Sequence, residues 1–355
     1  MFFLAFVTLA FSAALSLAGP ATKRASALEV SLTAPTEVLS IGDIKISVAV
    51  TNTDSEDVKV LKYGSVLDGA LPTRSFKVSK DGVEAVFTGV KLQVDMTFAD
   101  DSAFIVIPAG KSVVVNHDVA SLFDFESLGA GSFEFEPLNT FQVVKDNAHP
   151  SAYTVSTKPF TVNVKSDVQK HALQTFEKRA VMNCSSTTTE ADFIAASYTE
   201  SKSLAALAAS YVQSHGEDAL FASYFGTGTT SAVLNVLGKV AGENSSSRTL
   251  SCHDPYGVCQ PGVIAYTAIV GDNDIYYCSI FYNEVQIARL CSDTSVEARN
   301  VRGGTTLHEL THATAGTVDV GYGCSFDMGL SANPAVTNAD SYNCFATQIY
   351  KNTQC

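Results

Sequence analysis

All eight cysteines of this 355-residue chain lie at or after Cys184, and the first 183 residues have none. An even set confined to one half predicts a disulfide-stapled C-terminal domain made in an oxidising compartment. A zinc–thiolate cluster is the rival reading. It is disfavoured because the chain has no CxxC pair, and the nearest two cysteines, Cys252 and Cys259, are seven positions apart. The length itself allows about two domains.

Targeting and processing signals agree with that partition. Residues 2–18 carry no charge and end in the small-residue run Ser16-Leu17-Ala18. Residues 1–18 therefore read as a secretory signal peptide, with a membrane anchor as the rival. Nothing else in the chain is apolar enough to span a bilayer. The dibasic pair Lys178-Arg179 falls where cysteine-free sequence gives way to cysteine-rich sequence. Cleavage after Arg179 by a kexin-like processing protease is expected, dividing the chain into a pro-segment, residues 19–179, and a mature domain, residues 180–355. A second pair, Lys23-Arg24, lies close to the signal peptide. The product is expected to be secreted, with no membrane attachment once the signal is removed. Asn183-Cys184-Ser185 and Asn244-Ser245-Ser246 are glycan acceptor tripeptides.

The two halves carry different patterns. From Leu28 to about residue 165, short runs alternate apolar and polar residues: Leu28–Leu32, Ile44–Val50, Val58–Leu61, Phe104–Ile107 and Phe160–Val164. Turn-formers such as Asp81-Gly82 separate them, which predicts an antiparallel β-sandwich. The histidines here, His117, His149 and His171, are isolated and mark no site. Beyond Arg179, helical spacing predicts helices near residues 187–215, 217–225, 229–241, 305–313 and 339–350. A small β element is expected over 262–270 and 274–280. The fold class is thus α+β: a β-rich N-terminal pro-segment, then an α-rich domain with a small β element and disulfides.

Net charge bounds the partners. The chain has 23 basic and 36 acidic residues, a net charge of −13. That disfavours nucleic acid and anionic membranes, which require clustered Lys and Arg. From Ala180 onward there are 16 acidic and 7 basic residues, so the mature part suits basic partners.

The segment that carries chemistry is Thr305-Thr306-Leu307-His308-Glu309-Leu310-Thr311-His312. On a helix, His308 and His312 share one face and can offer two imidazoles to one zinc ion, with Glu309 beside it as base for an attacking water. A catalytic centre needs a third ligand. No His follows His312 and no Glu follows Glu309, so a downstream ligand must be Asp319, Asp327 or Asp340. Gly316 suits a helix C-cap and lets the chain turn back, which favours Asp319. Asp340 is the alternative, and it could equally cap the last helix or hold a ligand histidine from behind. His215 and His253 read as structural, and Asp254-Pro255-Tyr256-Gly257 as a turn between two cysteines.

His308-Glu309-Leu310-Thr311-His312 followed by Gly316-Thr317-Val318-Asp319 and by Tyr322-Gly323 resembles the deuterolysins, fungal neutral zinc proteases also called aspzincins. Their pattern is HExxH, then GTxD and a YG pair. The resemblance extends to Cys252-His253-Asp254-Pro255-Tyr256-Gly257-Val258-Cys259 and to Asn338-Ala339-Asp340-Ser341-Tyr342. It implies a zincin-like catalytic fold for the α-rich domain and one zinc ion per chain held by His308, His312 and Asp319, with Glu309 as catalytic base and Tyr322 steadying the oxyanion. It also implies the pairs Cys184–Cys252, Cys259–Cys278 and Cys291–Cys355, which leaves Cys324 with Cys344. The expected activity is that of a secreted metalloendopeptidase, made as a zymogen and cutting protein or peptide substrates, basic ones preferred. The alternatives are a secreted inactive homologue or binding protein that keeps the zinc site, or a β half that serves as an adhesion module.

Overall fold

The computed structural model describes residues 28–144, 150–173, 184 and 188–355. The signal segment and both dibasic pairs lie outside the described residues.

Alternation along the N-terminal strands sends one set of side chains inward. In Lys45–Asn52, Ile46, Val48 and Val50 are buried while Lys45 faces solvent. This strand pairs antiparallel with Leu28–Thr33 on one side and Ser112–Asp118 on the other. A second sheet runs in the order Glu37–Ser40, Phe160–Asp167, Gly131–Pro137, Phe76–Lys80, Val83–Glu84. A third runs Ser151–Thr154, Thr140–Val144, Val58–Leu61, Phe104–Ile107. Their inward faces share an aromatic-rich core that includes Phe76, Phe123, Phe125, Phe133, Phe135 and Phe141. The five expected strands are present. The pairing is not antiparallel throughout, however: Glu37–Ser40 lies parallel to Phe160–Asp167. Those strands are distant in sequence, so no hairpin forces them antiparallel.

The C-terminal half is helical. Helix Thr188–His215 packs on Thr230–Ala241, Arg302–Ala315 and Ala339–Gln354. Two helix starts sit slightly inside the expected limits because the leading residues are caps. The Asp218 side chain accepts from Phe221 N ahead of Ala219–Phe225, and Thr229 accepts from Ala232 N ahead of Thr230–Ala241. All four expected disulfides form: Cys184–Cys252, Cys259–Cys278, Cys291–Cys355 and Cys324–Cys344. No helix of the described residues is long and apolar enough to cross a membrane.

One element departs from the two-part division. The small sheet of the C-terminal half runs Leu250–Ser251, Ile275–Tyr277, Val263–Ala268, and its fourth strand is Val90–Val94 from the N-terminal half. All six residues of Val263–Ala268 are buried. Such a run, covered on both faces, needs a partner on each edge to satisfy its backbone. Val90, Leu92 and Val94 join Val263, Tyr266 and Tyr322 in one apolar cluster. The composition break near residue 179 therefore divides the sequence but not the packing.

Candidate metal centre

Helix Arg302–Ala315 is buried along most of its length, including every residue from Gly303 to Ala313. It approaches helix Ala339–Gln354 closely at Gly304, where a Cβ would stand 2.2 Å from Asn343 Oδ1. The helix stops at Gly316, whose φ of 76° is left-handed and whose N–H donates to His312 O. The chain then doubles back. Val318 and Asn338 form a parallel bridge, and Val320 N donates to Asn338 Oδ1 at 2.9 Å. This turn brings Asp319 over the helix.

The geometry is compact. His308 Nε2 and His312 Nε2 are 3.1 Å apart, and Asp319 Oδ1 is 3.1 Å from each. Ligand atoms about 2.0–2.2 Å from one tetrahedral zinc would be roughly 3.3 Å from one another, so the triangle fits such an ion. The tautomer of His312 fits too. Its Nδ1 lies 2.9 Å from Thr317 O, which only accepts, so Nδ1 carries the proton and Nε2 presents a lone pair. Behind His308, Asp340 Oδ1 is 3.5 Å from Nδ1.

Asp340 is therefore not part of the triangle. It pairs with the buried Arg299 guanidinium (Nη2 to Oδ1, 2.5 Å) and accepts from Gly323 N at 2.7 Å. Asp327 lies further off and accepts from Asn338 Nδ2. His215 stacks on Tyr211 at the surface. Asp254 accepts from Val258 N, Cys259 N and the Tyr266 hydroxyl, an ordinary turn anchor.

Electrostatics suits a cation. Burial opposes charge on every member of the cluster. On His308, Asp319 and Asp340 overcome it, and the imidazole pKa is pushed up to about 9. On His312 burial wins, and the pKa falls to about 4. Asp319, though buried, is held well below the usual carboxylate range by the two imidazoles. An ionised Asp319 facing an unprotonated His312 is a donor pair suited to a divalent ion.

Glu309 is fully buried, and burial pushes its carboxyl up to about 8. Its Oε2 accepts from Thr267 Oγ1 at 2.6 Å, while Oε1 has no partner. Tyr322 is buried with its ring 6.3 Å from that of His308, and its hydroxyl has no partner. Sequence reasoning missed Thr267 and Arg299. Both act from elements remote in the chain, and neither has a local signature.

The profile of the deuterolysin metalloprotease (M35) family matches residues 2–355. Penicillolysin of Penicillium citrinum is 31% identical over 337 residues, covering 91% of this chain and 92% of that protein. A peptidyl-Lys metalloendopeptidase of Armillaria mellea is 27% identical over 351 residues, covering 95% and 96%. Neutral protease 2 of Aspergillus oryzae is 30% identical over 339 residues, covering 91% of each.

Proposed function

The chain belongs to the deuterolysin metalloprotease family and is a metalloendopeptidase; from that premise we propose a secreted, zinc-dependent enzyme made as a zymogen. His308, His312 and Asp319 would hold the zinc, Glu309 would serve as general base and Tyr322 as oxyanion donor. The observation that carries this reading is the 3.1 Å triangle of His308 Nε2, His312 Nε2 and Asp319 Oδ1.

Zinc, when bound, supplies Lewis acidity that makes water nucleophilic near neutral pH and polarises the scissile carbonyl. The protein does the rest. Thr267 fixes one oxygen of Glu309, which leaves Oε1 to take the proton of the attacking water and deliver it to the leaving amine. The Tyr322 hydroxyl, held in a buried and water-poor place, is free to donate to the oxygen on which charge develops. Thr317 O orients the His312 imidazole by accepting from its Nδ1, and the Asp340 carboxylate stands 3.5 Å behind His308 Nδ1.

Substrates are proposed to be basic polypeptides. The support is the excess of 16 acidic over 7 basic residues from Ala180 onward, together with a relative whose name specifies lysyl bonds. Maturation is proposed to follow cleavage after Arg179, and full activity of an unprocessed Arg179→Ala precursor would defeat that part. Glu309→Gln tests the catalytic assignment: turnover should fall at least 100-fold while zinc stays bound. Retained turnover would remove Glu309 from the mechanism, and a binding function that survived the substitution would favour a non-catalytic role.

A further inference from the structure

The N-terminal strand Val90–Val94 runs antiparallel along Val263–Ala268, with Leu92 opposite Tyr266 and Val94 opposite Val263. It passes directly over the metal centre. Leu92 O lies 3.0 Å from His308 Nε2, and Leu92 N donates to Asp319 Oδ2 at 2.9 Å. Two residues further on, Val94 O accepts from Arg299 Nη1 at 2.8 Å. We infer that this strand occupies the cleft as a peptide substrate does. An extended substrate would add antiparallel to Val263–Ala268, with its scissile carbonyl where Leu92 O stands and the carbonyl two residues later on Arg299. The inference rests on the peptidase reading of the site.

Three features support it. The contacts at the centre are made by the Leu92 backbone, which every peptide shares, not by a side chain. Without Val90–Val94, the strand Val263–Ala268 keeps Ile275–Tyr277 on one side and presents an open hydrogen-bonding edge on the other, the kind of edge to which extended peptides add. Arg299 is buried in a left-handed conformation (φ 48°) and locked by Asp340, so its free donor is aimed before any ligand arrives.

The way the strand is held suits a removable plug. Lys91 Nζ donates to Thr317 O at 2.5 Å. Gln142 brackets the Tyr322 backbone, donating to its carbonyl at 2.5 Å and accepting from its N–H at 3.1 Å. Against this, the Gln93 side chain is fully buried with neither amide atom partnered. The main chain pairs along the strand, with one register shift between Val263 and Ala265, but the side chain after the scissile position is poorly matched. Such a strand stays while tethered, because its effective concentration is high, and leaves once the chain is cut.

The test uses the full-length chain carrying Arg179→Ala. Leu92→Pro deletes the N–H that reaches Asp319 and breaks the pairing; Lys91→Ala, which leaves the backbone intact, serves if the proline variant fails to fold. Hydrogen exchange at residues 263–268 should accelerate at least tenfold in Leu92→Pro and severalfold in Lys91→Ala, and hydrolysis of a quenched peptide should rise in step. In the processed chain, Arg299→Lys should lower kcat/KM at least tenfold more for peptides extending two residues past the cut bond than for shorter ones, and an equal loss for both would remove Arg299 from substrate binding. Unchanged exchange and unchanged hydrolysis in the folded variants would overturn the inference while the processed wild-type chain still cleaves peptide. A processed chain that cleaves nothing would instead overturn the peptidase reading.

Discussion

Arg299, Asp340 and Asp327 form a buried trio behind His308, and removing Asp340 tests how it is balanced. Arg299 and Asp340 side chains are 4% and 0% exposed. Breaking such a pair by deleting one partner costs about 3–5 kcal/mol, because a charge is left buried without a counterion. Asp327 changes where in that range the cost falls. It is fully buried, and burial first, then the charge of Asp340, raises its pKa well above the usual value, which favours the protonated form. In Asp340→Asn the second cause disappears while burial and the pull of Arg299 remain, so Asp327 ionises more readily and supplies part of the missing counter-charge. The expected cost is therefore about 3 kcal/mol, the low end. Asp327→Asn alone removes a neutral group and should cost about 1 kcal/mol or less. The double variant has no reserve carboxylate and should cost about 5 kcal/mol, more than the two single changes together. Urea unfolding at pH 7, followed by circular dichroism at 222 nm with disulfides intact, measures all three; the chain has no Trp, and the helices of the C-terminal half dominate that signal. A cost below about 1 kcal/mol for Asp340→Asn, or a double variant no worse than the single, would refute the reasoning.

Two further outcomes follow from named contacts. Thr267→Val removes the donor to Glu309 Oε2. A bond to the ionised carboxylate exceeds one to the neutral acid by roughly 1–1.5 kcal/mol, which moves the acidic limb of kcat/KM up by about one pH unit; Thr267→Ser should restore it, and a loss equal at every pH would contradict the assignment. His117 is buried, and burial lowers its pKa below 6.5. The native state thus binds fewer protons than the unfolded chain, so this residue's contribution to stability is intact above pH 6.5 and is lost as pH falls below it. His117→Phe should flatten that part of the thermal-stability profile of the full chain between pH 5 and 7, and an unchanged slope would count against it.

Much of the molecule was legible in the sequence because the relevant signals are local. Alternation in Lys45–Asn52 and helical spacing through Thr188–His215 announce their own elements. His308, Glu309 and His312 lie within one and a half turns of a helix, so their spacing alone sets their common face. Asp319 was harder, since three aspartates remained in play. The left-handed turn at Gly316 folds residue 319 back over the helix and leaves Asp340 on the far side of His308. What the sequence concealed depends on pairing across long separations. Nothing in Val90–Val94 distinguishes it from other strands of its half, and its partner Val263–Ala268 lies more than 150 residues away. Thr267 and Arg299 gain meaning only from what that pairing and the Asp340 contact bring beside them.

The proposed grip of His308, His312 and Asp319 on one zinc ion is open to direct measurement. Crystals of the zinc-loaded chain, measured at energies on either side of the zinc absorption edge, test it directly. One anomalous peak is expected about 2.0–2.2 Å from both Nε2 atoms and the Asp319 carboxylate. A map with no peak there, or with its peak on another set of side chains, would contradict it.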